Sequence, residues 1–391
     1  MTPLYGQFSD SLKTTLEISV RHRYVCRRIS VGASAGIGWR VYAIHVGAES
    51  GIGLVGCLRP EARARLPGDA PAGRIVCGRR LCDDTSVLTL PYLPAYSIIM
   101  IALHKVAAPR LDRTAKAADE VAAYERIDST HAKARRLIER GRFARNDDGG
   151  IAITVVAAGA MDDARGRLGR PWACVPGHSF AISFIVTIPE SVATDDAVNG
   201  WMSMIAGLAT LDAIEGTLDE CGAVPFDPEC GFHLKWPNDI YCHGLKLGST
   251  FTQVASPPDR HGDVAVIFSV GVNLSVPADR LPTPESTSLR MHVAPLPPTA
   301  ELIDMIAARL VASLRTRLEA FVQMPLIQSS RLRSEMHHVC WMMGRQIDAQ
   351  LIDGRTIAGK VVSLNDDASI SVRTASGETE RLSTGDIGLM V

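Results

Sequence analysis

What this chain of 391 residues lacks narrows its class first. It has almost no net charge: 41 Lys and Arg stand against 42 Asp and Glu, a formal net charge of −1. Broad nucleic-acid binding leaves a basic footprint, so this balance argues against that role. A long apolar run is also missing. The longest, near Leu93 to Val106, is interrupted by Pro94, Tyr96, His104 and Lys105, too short and too polar to cross a bilayer. The nine cysteines are scattered, with no Cys-x-x-Cys pair and no His/Cys spacing typical of zinc, and they read as reduced thiols of an intracellular protein. His337 and His338 show no ligand spacing either. The N-terminus mixes Asp10 and Glu17 with Arg21, Arg23, Arg27 and Arg28, which fits neither a clean secretory signal nor a clean mitochondrial presequence. The expected location is cytoplasmic, with a mitochondrial one left open. What the chain does have is a hydrophobic fraction of 46%, ample for buried cores in two or three domains.

Two segments carry the chemistry. In Arg165-Gly166-Arg167-Leu168-Gly169-Arg170-Pro171-Trp172, glycine lets the backbone approach a ligand and arginine supplies a permanent planar donor fork. Taken alone, such a run reads either as a solvated basic turn or as a cradle for an anion. In Lys235-Trp236-Pro237-Asn238-Asp239, proline fixes its own φ and pushes Trp236 toward an extended conformation. The lysine can then end a strand while Asn238 and Asp239 make a turn. A plain strand-ending turn is the alternative reading.

In this order the two segments resemble the biotin protein ligase family. That family carries a Gly-Arg-Gly-Arg-x-Gly-Arg-x-Trp loop, a Lys-Trp-Pro-Asn-Asp turn, a lysine about eleven residues on, and Gly-x-Gly-x-Asn. Here the later elements are Lys246 and Ser269-Val270-Gly271-Val272-Asn273. Asp128-Ser129-Thr130 stands where the family has its opening Asp-Ser-Thr; on its own this is also a good helix N-cap. The resemblance implies ATP-driven conversion of biotin to biotinyl-5′-AMP, then transfer to a lysine of a carboxylase's biotin carboxyl carrier domain. It implies Lys235 and Arg167 as catalytic residues and a biotin site of Ser129, Thr130, Arg165, Gly166, Arg167, Gly177 and Lys235. For ATP it implies Arg167, Arg170, Trp172, Lys235, Asn238, Asp239, Lys246 and Asn273, with Mg²⁺ accompanying the nucleotide and no metal site in the protein itself. Such chemistry needs no covalent enzyme intermediate, so the lack of an evident Ser/His/Asp or Cys/His triad is consistent with it. No nucleic-acid or membrane partner is expected, and a homodimer is left open.

Departures bear on the acyl ligand. The loop's first glycine is Ala164, the glutamine three residues earlier is Met161, the asparagine after Ser-Thr is His131, Ser-Pro after the loop tryptophan is Cys174-Val175, and a glycine after Lys246 is Ser249. Lipoate or octanoate ligation on the same fold, or an inactive biotin-binding relative, are the alternatives.

The expected fold class is α+β: a mixed β-sheet catalytic domain with helices on one face, class II synthetase-like, plus a C-terminal SH3-like β-barrel. Residues 1–120 carry no assigned function, and their glycines do not suit the three-helix DNA-binding module of some bacterial relatives. Residues 121–330 are the catalytic domain and 335–391 the barrel. Ser179 to Ile188 alternates with period two, predicting a strand with one buried face. Thr194, Asp195 and Asp196 are expected to open a helix holding Val198, Met202, Ile205, Leu208 and Leu211. Phe232 to Trp236 reads as a strand, Ile240-Tyr241 with Leu245 to Val254 as a hairpin turning at His243-Gly244, Val264 to Leu274 as a strand after a turn from Asp259, and Thr299 to Phe321 as a helix. In the tail, Gln346 to Leu351, Thr356 to Leu364, Ser369 to Thr374 and Glu378 to Leu382 are expected strands between polar turns.

Overall fold

Alternating apolar residues build the sheet that carries the site. The computed structural model describes residues 106–145, 150–258, 262–385 and 387–390, with the backbone of four strands between 15 and 60. All but the last residue of the apolar run from Leu93 to Val106, and most of the expected turn at Asp259 to Asp263, lie outside the described residues. The chain divides into two compact units, 1–105 and 106–391. In the first, β1 (Thr15–Ile18), β2 (Arg27–Gly32), β3 (Gly38–Ala48) and β4 (Gly51–Pro60) pair antiparallel in chain order.

The second unit runs α1 (Thr114–Ala117), β5 (Glu120–Ile127), α2 (Thr130–Glu139), β6 (Ile153–Met161), β7 (Ser179–Pro189), α3 (Glu190–Ala193), α4 (Trp201–Cys221) and β8 (Val224–Pro225). It continues with β9 (Phe232–Lys235), β10 (Asp239–Cys242), β11 (Leu245–Ala255), β12 (Asp263–Asn273), β13 (Val293–Ala294), α5 (Thr299–Gln323) and α6 (Pro325–Val339). The tail is β14 (Gln346–Leu351), β15 (Thr356–Leu364), β16 (Ile370–Thr374), β17 (Thr379–Leu382) and β18 (Ile387–Met390). Seven strands form one mixed sheet in the order β5-β6-β7-β12-β11-β10-β9, with β5 and β6 parallel and the other pairs antiparallel. The tail is a five-stranded antiparallel sheet ordered β17-β16-β15-β14-β18. Among the described residues no helix is long and apolar enough to cross a membrane.

Both long helices lie on one face of the large sheet, as the sequence led us to expect. Val155, Phe184, Val266 and Phe268 meet Ile205 and Leu208 of α4 and Leu310 and Leu314 of α5 in one core. The strand β7 nevertheless corrects its prediction, because its second face is buried as well. The short helix α2 sets Ala134, Leu137 and Ile138, with Phe143, against Val156, Ile185, Ala265 and Ile267. Burying a side chain such as Ile185 or Ile267 there contributes roughly 1.5–3 kcal/mol.

The helix expected from Thr194 begins instead at Trp201. Asp195 Oδ1 accepts the Ala197 amide at 2.9 Å, a local turn that competes with helix nucleation. The chain then passes close to the tail: a Cβ on Gly200 would lie 2.4 Å from the Asp367 carbonyl oxygen. Helix α1 lasts four residues from Thr114, and the Asp304 carboxylate of α5 accepts the Arg113 and Thr114 amides, both at 2.9 Å. The hairpin turn at His243-Gly244 is as expected, with φ of +51° and +75°. Helix α6 and strand β18 were not anticipated.

Candidate active site

One end of the site is a narrow pocket floored by β11 and β12. Ser129, Thr130 and His131 at the start of α2, Met161 ending β6, Arg165 and Gly166 of the arginine loop, Trp172, and Ser249 to Phe251 of β11 line it. Ser129 does cap α2, its Oγ accepting the Ala132 amide at 3.0 Å. Asp128 before it is bound by both Arg136 nitrogens, at 2.7 and 2.6 Å; the hydrogen-bonded guanidinium holds its carboxyl at about 2. The Thr130 amide donates to Met161 Sδ at 3.4 Å, so sulfur takes a contact an amide oxygen would make more strongly.

A chain of neutral groups runs behind the pocket wall. Ser183 Oγ donates to Thr130 Oγ1 at 2.9 Å and lies 2.7 Å from Ser269 Oγ. Ser269 Oγ is 2.8 Å from His131 Nδ1, and His131 Nε2 is 2.6 Å from Gln253 Oε1. An amide oxygen only accepts, so Nε2 carries a proton and the neutral ring accepts the Ser269 hydroxyl at Nδ1. Burial pushes the His131 pKa down, and the ring leans on Phe251 at 4.5 Å between centroids. Of these partners Thr130 was marked from the sequence as a site residue, His131 as a departure and Ser269 as part of the Ser269-Val270-Gly271-Val272-Asn273 element. Gln253 and Ser183 carry no motif of their own.

Two buried polar atoms of the pocket, Trp172 Nε1 and Thr250 Oγ1, have no hydrogen-bond partner among the described residues. Buried donors are rarely left unpaired, and both residues line the pocket. The Trp172 indole rests on Gly271, where a Cβ would stand 2.7 Å from Cε2. Glycine at that point is therefore a packing requirement. Trp172, implied by the resemblance for the ATP site, thus lines this pocket.

Charge gathers at the other end. The β9–β10 register pairs Lys235 with Asp239 across the Trp236-Pro237-Asn238 turn, whose Trp236–Pro237 peptide is cis. Lys246 Nζ donates to Asp239 Oδ1 at 2.7 Å. Burial pushes the Lys235 pKa below its ordinary value, opposed by Asp239 and assisted by Lys246; its Nζ lies 5.5 Å from the Tyr241 ring centroid. Arg167 is likewise lowered by burial and by Arg170, against the pull of Asp239. Three cations therefore share the field of one carboxylate. Asn238 Nδ2 donates to the Thr250 carbonyl, and the Thr250 amide donates back to the Asn238 carbonyl, each at 2.8 Å. That exchange fastens the charged turn to the pocket wall.

The remaining candidates sit around these two ends. Arg165 pairs with Asp163 at 2.8 Å and donates to the Gly169 carbonyl at 2.9 Å. Arg167 Nη2 donates to the Thr384 carbonyl of the tail at 2.5 Å, a contact with no sequence signal. Arg170 is exposed on the same loop. Gly177, at φ +75°, lies outside the pocket lining, on the turn whose His178 carbonyl accepts the Leu274 amide at 3.1 Å. Asn273 is buried at the end of β12 and donates to the Thr287 carbonyl at 3.1 Å.

No family model matches the chain. It is 28% identical over 254 residues to the biotin–[acetyl-CoA-carboxylase] ligase of Mycobacterium tuberculosis, covering 64% of this chain and 83% of that protein. It is 31% identical over 150 residues to the enzyme of the same name from Paracoccus denitrificans, covering 38% and 52% respectively. Among solved structures, the biotin protein ligase of Aquifex aeolicus in complex with biotin and ATP aligns with 70% of this chain and 99% of its own, at 19% identity and a TM-score of 0.49.

Proposed function

We infer that this chain, which belongs to the biotin protein ligase family, activates biotin as biotinyl-5′-AMP and passes the biotinyl group to a lysine of a carboxylase carrier domain. One observation carries the reading: β11 presents Lys246 to the cluster around Asp239 and, three to five residues on, Ser249 to Phe251 to the pocket. A ligand carboxylate in the pocket and a nucleotide phosphate on the cations would therefore meet.

A carboxylate is inert toward an amine until its oxygen is made part of a leaving group. Its oxygen attacks the α-phosphorus, the bond to pyrophosphate breaks, and negative charge grows on the phosphate oxygens. Lys235, Lys246 and Arg167 are the donors for that charge, and their crowding makes the site short of anions before ATP arrives. An incoming phosphate relieves the desolvation that depresses Lys235 and Arg167. Asp239 is the carboxylate suited to Mg²⁺, since that ion takes one or two carboxylates and completes its shell with phosphate and water. Bound there, Mg²⁺ would neutralise charge on the departing pyrophosphate. In the second step the carrier lysine attacks the anhydride carbonyl and AMP leaves with the bonding pair. Trp172 and the arginine loop cover the acyl side, and excluding water there protects the anhydride from hydrolysis. Residues 121–330 form the catalytic part and 335–391 an accessory sheet that contacts Arg167.

Met161 favours a second reading in the acyl pocket, because a sulfur in place of an amide suits a less polar acid such as lipoate or octanoate. The test is ATP–pyrophosphate exchange with each acid, followed by mass measurement of a carrier domain. Biotin-dependent exchange and biotin on the carrier lysine are expected, with Lys235→Ala lowering exchange about 10²- to 10³-fold. Exchange with lipoate alone would move the assignment to that acid, and exchange with neither would leave a binding protein.

A further inference from the structure

We propose that Cys230, Cys242 and His292 form a zinc-binding site that clamps the open end of the β9–β10 hairpin to the segment before β13. The spacing of these residues in sequence gives no sign of it, and folding brings them together. Cys242 ends β10 opposite Phe232, and Cys230 precedes β9 in the turn where its amide donates to the Asp227 carbonyl at 2.9 Å. The two Sγ atoms are 3.3 Å apart. His292 comes in on the other side, its carbonyl accepting the Phe226 amide at 2.8 Å just before Val293 and Ala294 pair with β8. The two sulfurs and an imidazole nitrogen all lie within 4.8 Å of one another.

Thiolate and imidazole together select zinc among the common divalent ions, and tetrahedral zinc binds sulfur at about 2.3 Å and nitrogen at about 2.0–2.1 Å. Those bonds set a sulfur–sulfur edge of about 3.8 Å and a sulfur–nitrogen edge of about 3.6 Å. The thiols need part by only about 0.5 Å, and the imidazole need approach by about 1.2 Å at most. The imidazole is held from behind, as metal-ligating histidines are. Its Nε2 meets Thr287 Oγ1 at 2.6 Å, which leaves Nδ1 for the metal. A disulfide between the cysteines would have no use for this third, oriented ligand. Solvent completes the tetrahedron.

The site bears on the charged turn. Cys242 and Phe232 close one end of the hairpin, and Lys235 and Asp239 close the other. Thr287 ties His292 by its hydroxyl and Asn273 by its carbonyl. A metal would therefore stiffen two segments that frame the candidate nucleotide site without touching the nucleotide.

Full-length protein, reduced and stripped with a chelator, is titrated with Co²⁺ as a visible stand-in and then with Zn²⁺. The expected result is tetrahedral ligand-field absorption with a thiolate charge-transfer band, saturating near one equivalent, displaced by zinc, and accompanied by a higher unfolding midpoint. Cys230→Ser and Cys242→Ser should each lower the thiolate band by about half or more and the double variant should abolish it, and His292→Ala should weaken binding at least about tenfold. Thr287→Val, which keeps all three ligands, should weaken it about 10- to 100-fold. The proposal is overturned if reduced wild-type protein gives no thiolate band, or if the band is undiminished in both serine variants. A Cys230–Cys242 disulfide that takes up no metal after reduction would overturn it as well. None of these readouts depends on ligase activity, so failure here leaves the functional reading untouched.

Discussion

At one end of the site Asp239 pairs with Lys246 at 2.7 Å and its field reaches Lys235 and Arg167. At the other, Thr130, Ser183, Ser269, His131 and Gln253 share hydrogen bonds and carry no charge. Their sensitivities differ accordingly. A cation cluster acts at range and is recognisable as lysines and arginines in a motif, whereas a neutral relay acts by contact and tolerates exchange of its members if each bond finds a new partner. The departures from the family pattern at His131 and Met161 fall on the neutral side, and Lys235, Lys246 and Arg167 fall on the charged side.

The largest effect should come from the charged end. Lys246→Ala removes a donor fixed to Asp239, and biotin-dependent ATP–pyrophosphate exchange should fall about 10²- to 10³-fold. Biotin binding without nucleotide, read by calorimetry, should stay near the wild-type value. A comparable loss of biotin affinity would show that the two ends do not act separately.

Next comes the neutral relay. His131→Leu removes the half-buried partner of Ser269 and Gln253, which costs about 0.5–1.5 kcal/mol per hydrogen bond lost. The KM for biotin should rise while that for ATP holds. His131→Asn keeps a donor and an acceptor and should recover part of the loss. If leucine and asparagine behave alike, the relay does not shape the pocket.

A smaller effect links the charged end to the tail. Trp236 Nε1 donates to the Ala368 carbonyl at 2.8 Å, and Ala368 is fully buried. Trp236→Phe should lower stability by about 1–2 kcal/mol in urea unfolding. Trp201→Phe frees the carbonyl of Asp366, bound at 2.6 Å, but that residue is exposed and water can replace the bond. Its loss should be the lesser of the two, and the reverse order would contradict the burial argument.

Period and turn chemistry made much of this fold legible. The alternation over β7, the His243-Gly244 turn and the apolar stripe of α5 each depend on neighbours in sequence, and each was readable there. What escaped depends on distant partners. The second buried face of β7 needs α2, the late start of α4 needs the Asp195 turn and the approach of Asp367 to Gly200, and α6 has a weak apolar stripe with three buried residues. The site divides in the same way. The two charged segments announced themselves by composition, while Gln253 and Ser183 look like ordinary strand residues until the sheet joins them to His131 through the shared hydrogen bonds.

The smallest expected effect is a change of slope. Burial puts the His131 pKa in the folded chain below the unfolded value near 6.5, so the neutral ring's contribution is complete above pH 6.5. As pH falls below that value the unfolded chain takes up the proton first, stability declines, and the decline ends once the native ring also protonates. His131→Asn has no such proton to bind, so its urea midpoint should fall less between pH 7 and 5 than that of the wild type. His292, also pushed down by burial and by His243, remains in both proteins and cancels in the difference. Asp128 acts lower, between its usual 3.8 and about 2, where the wild type and the variant should decline together. Parallel curves from pH 7 to 5 would mean that the folded imidazole is as easily protonated as the unfolded one, and the relay would then have to tolerate a charge at its centre.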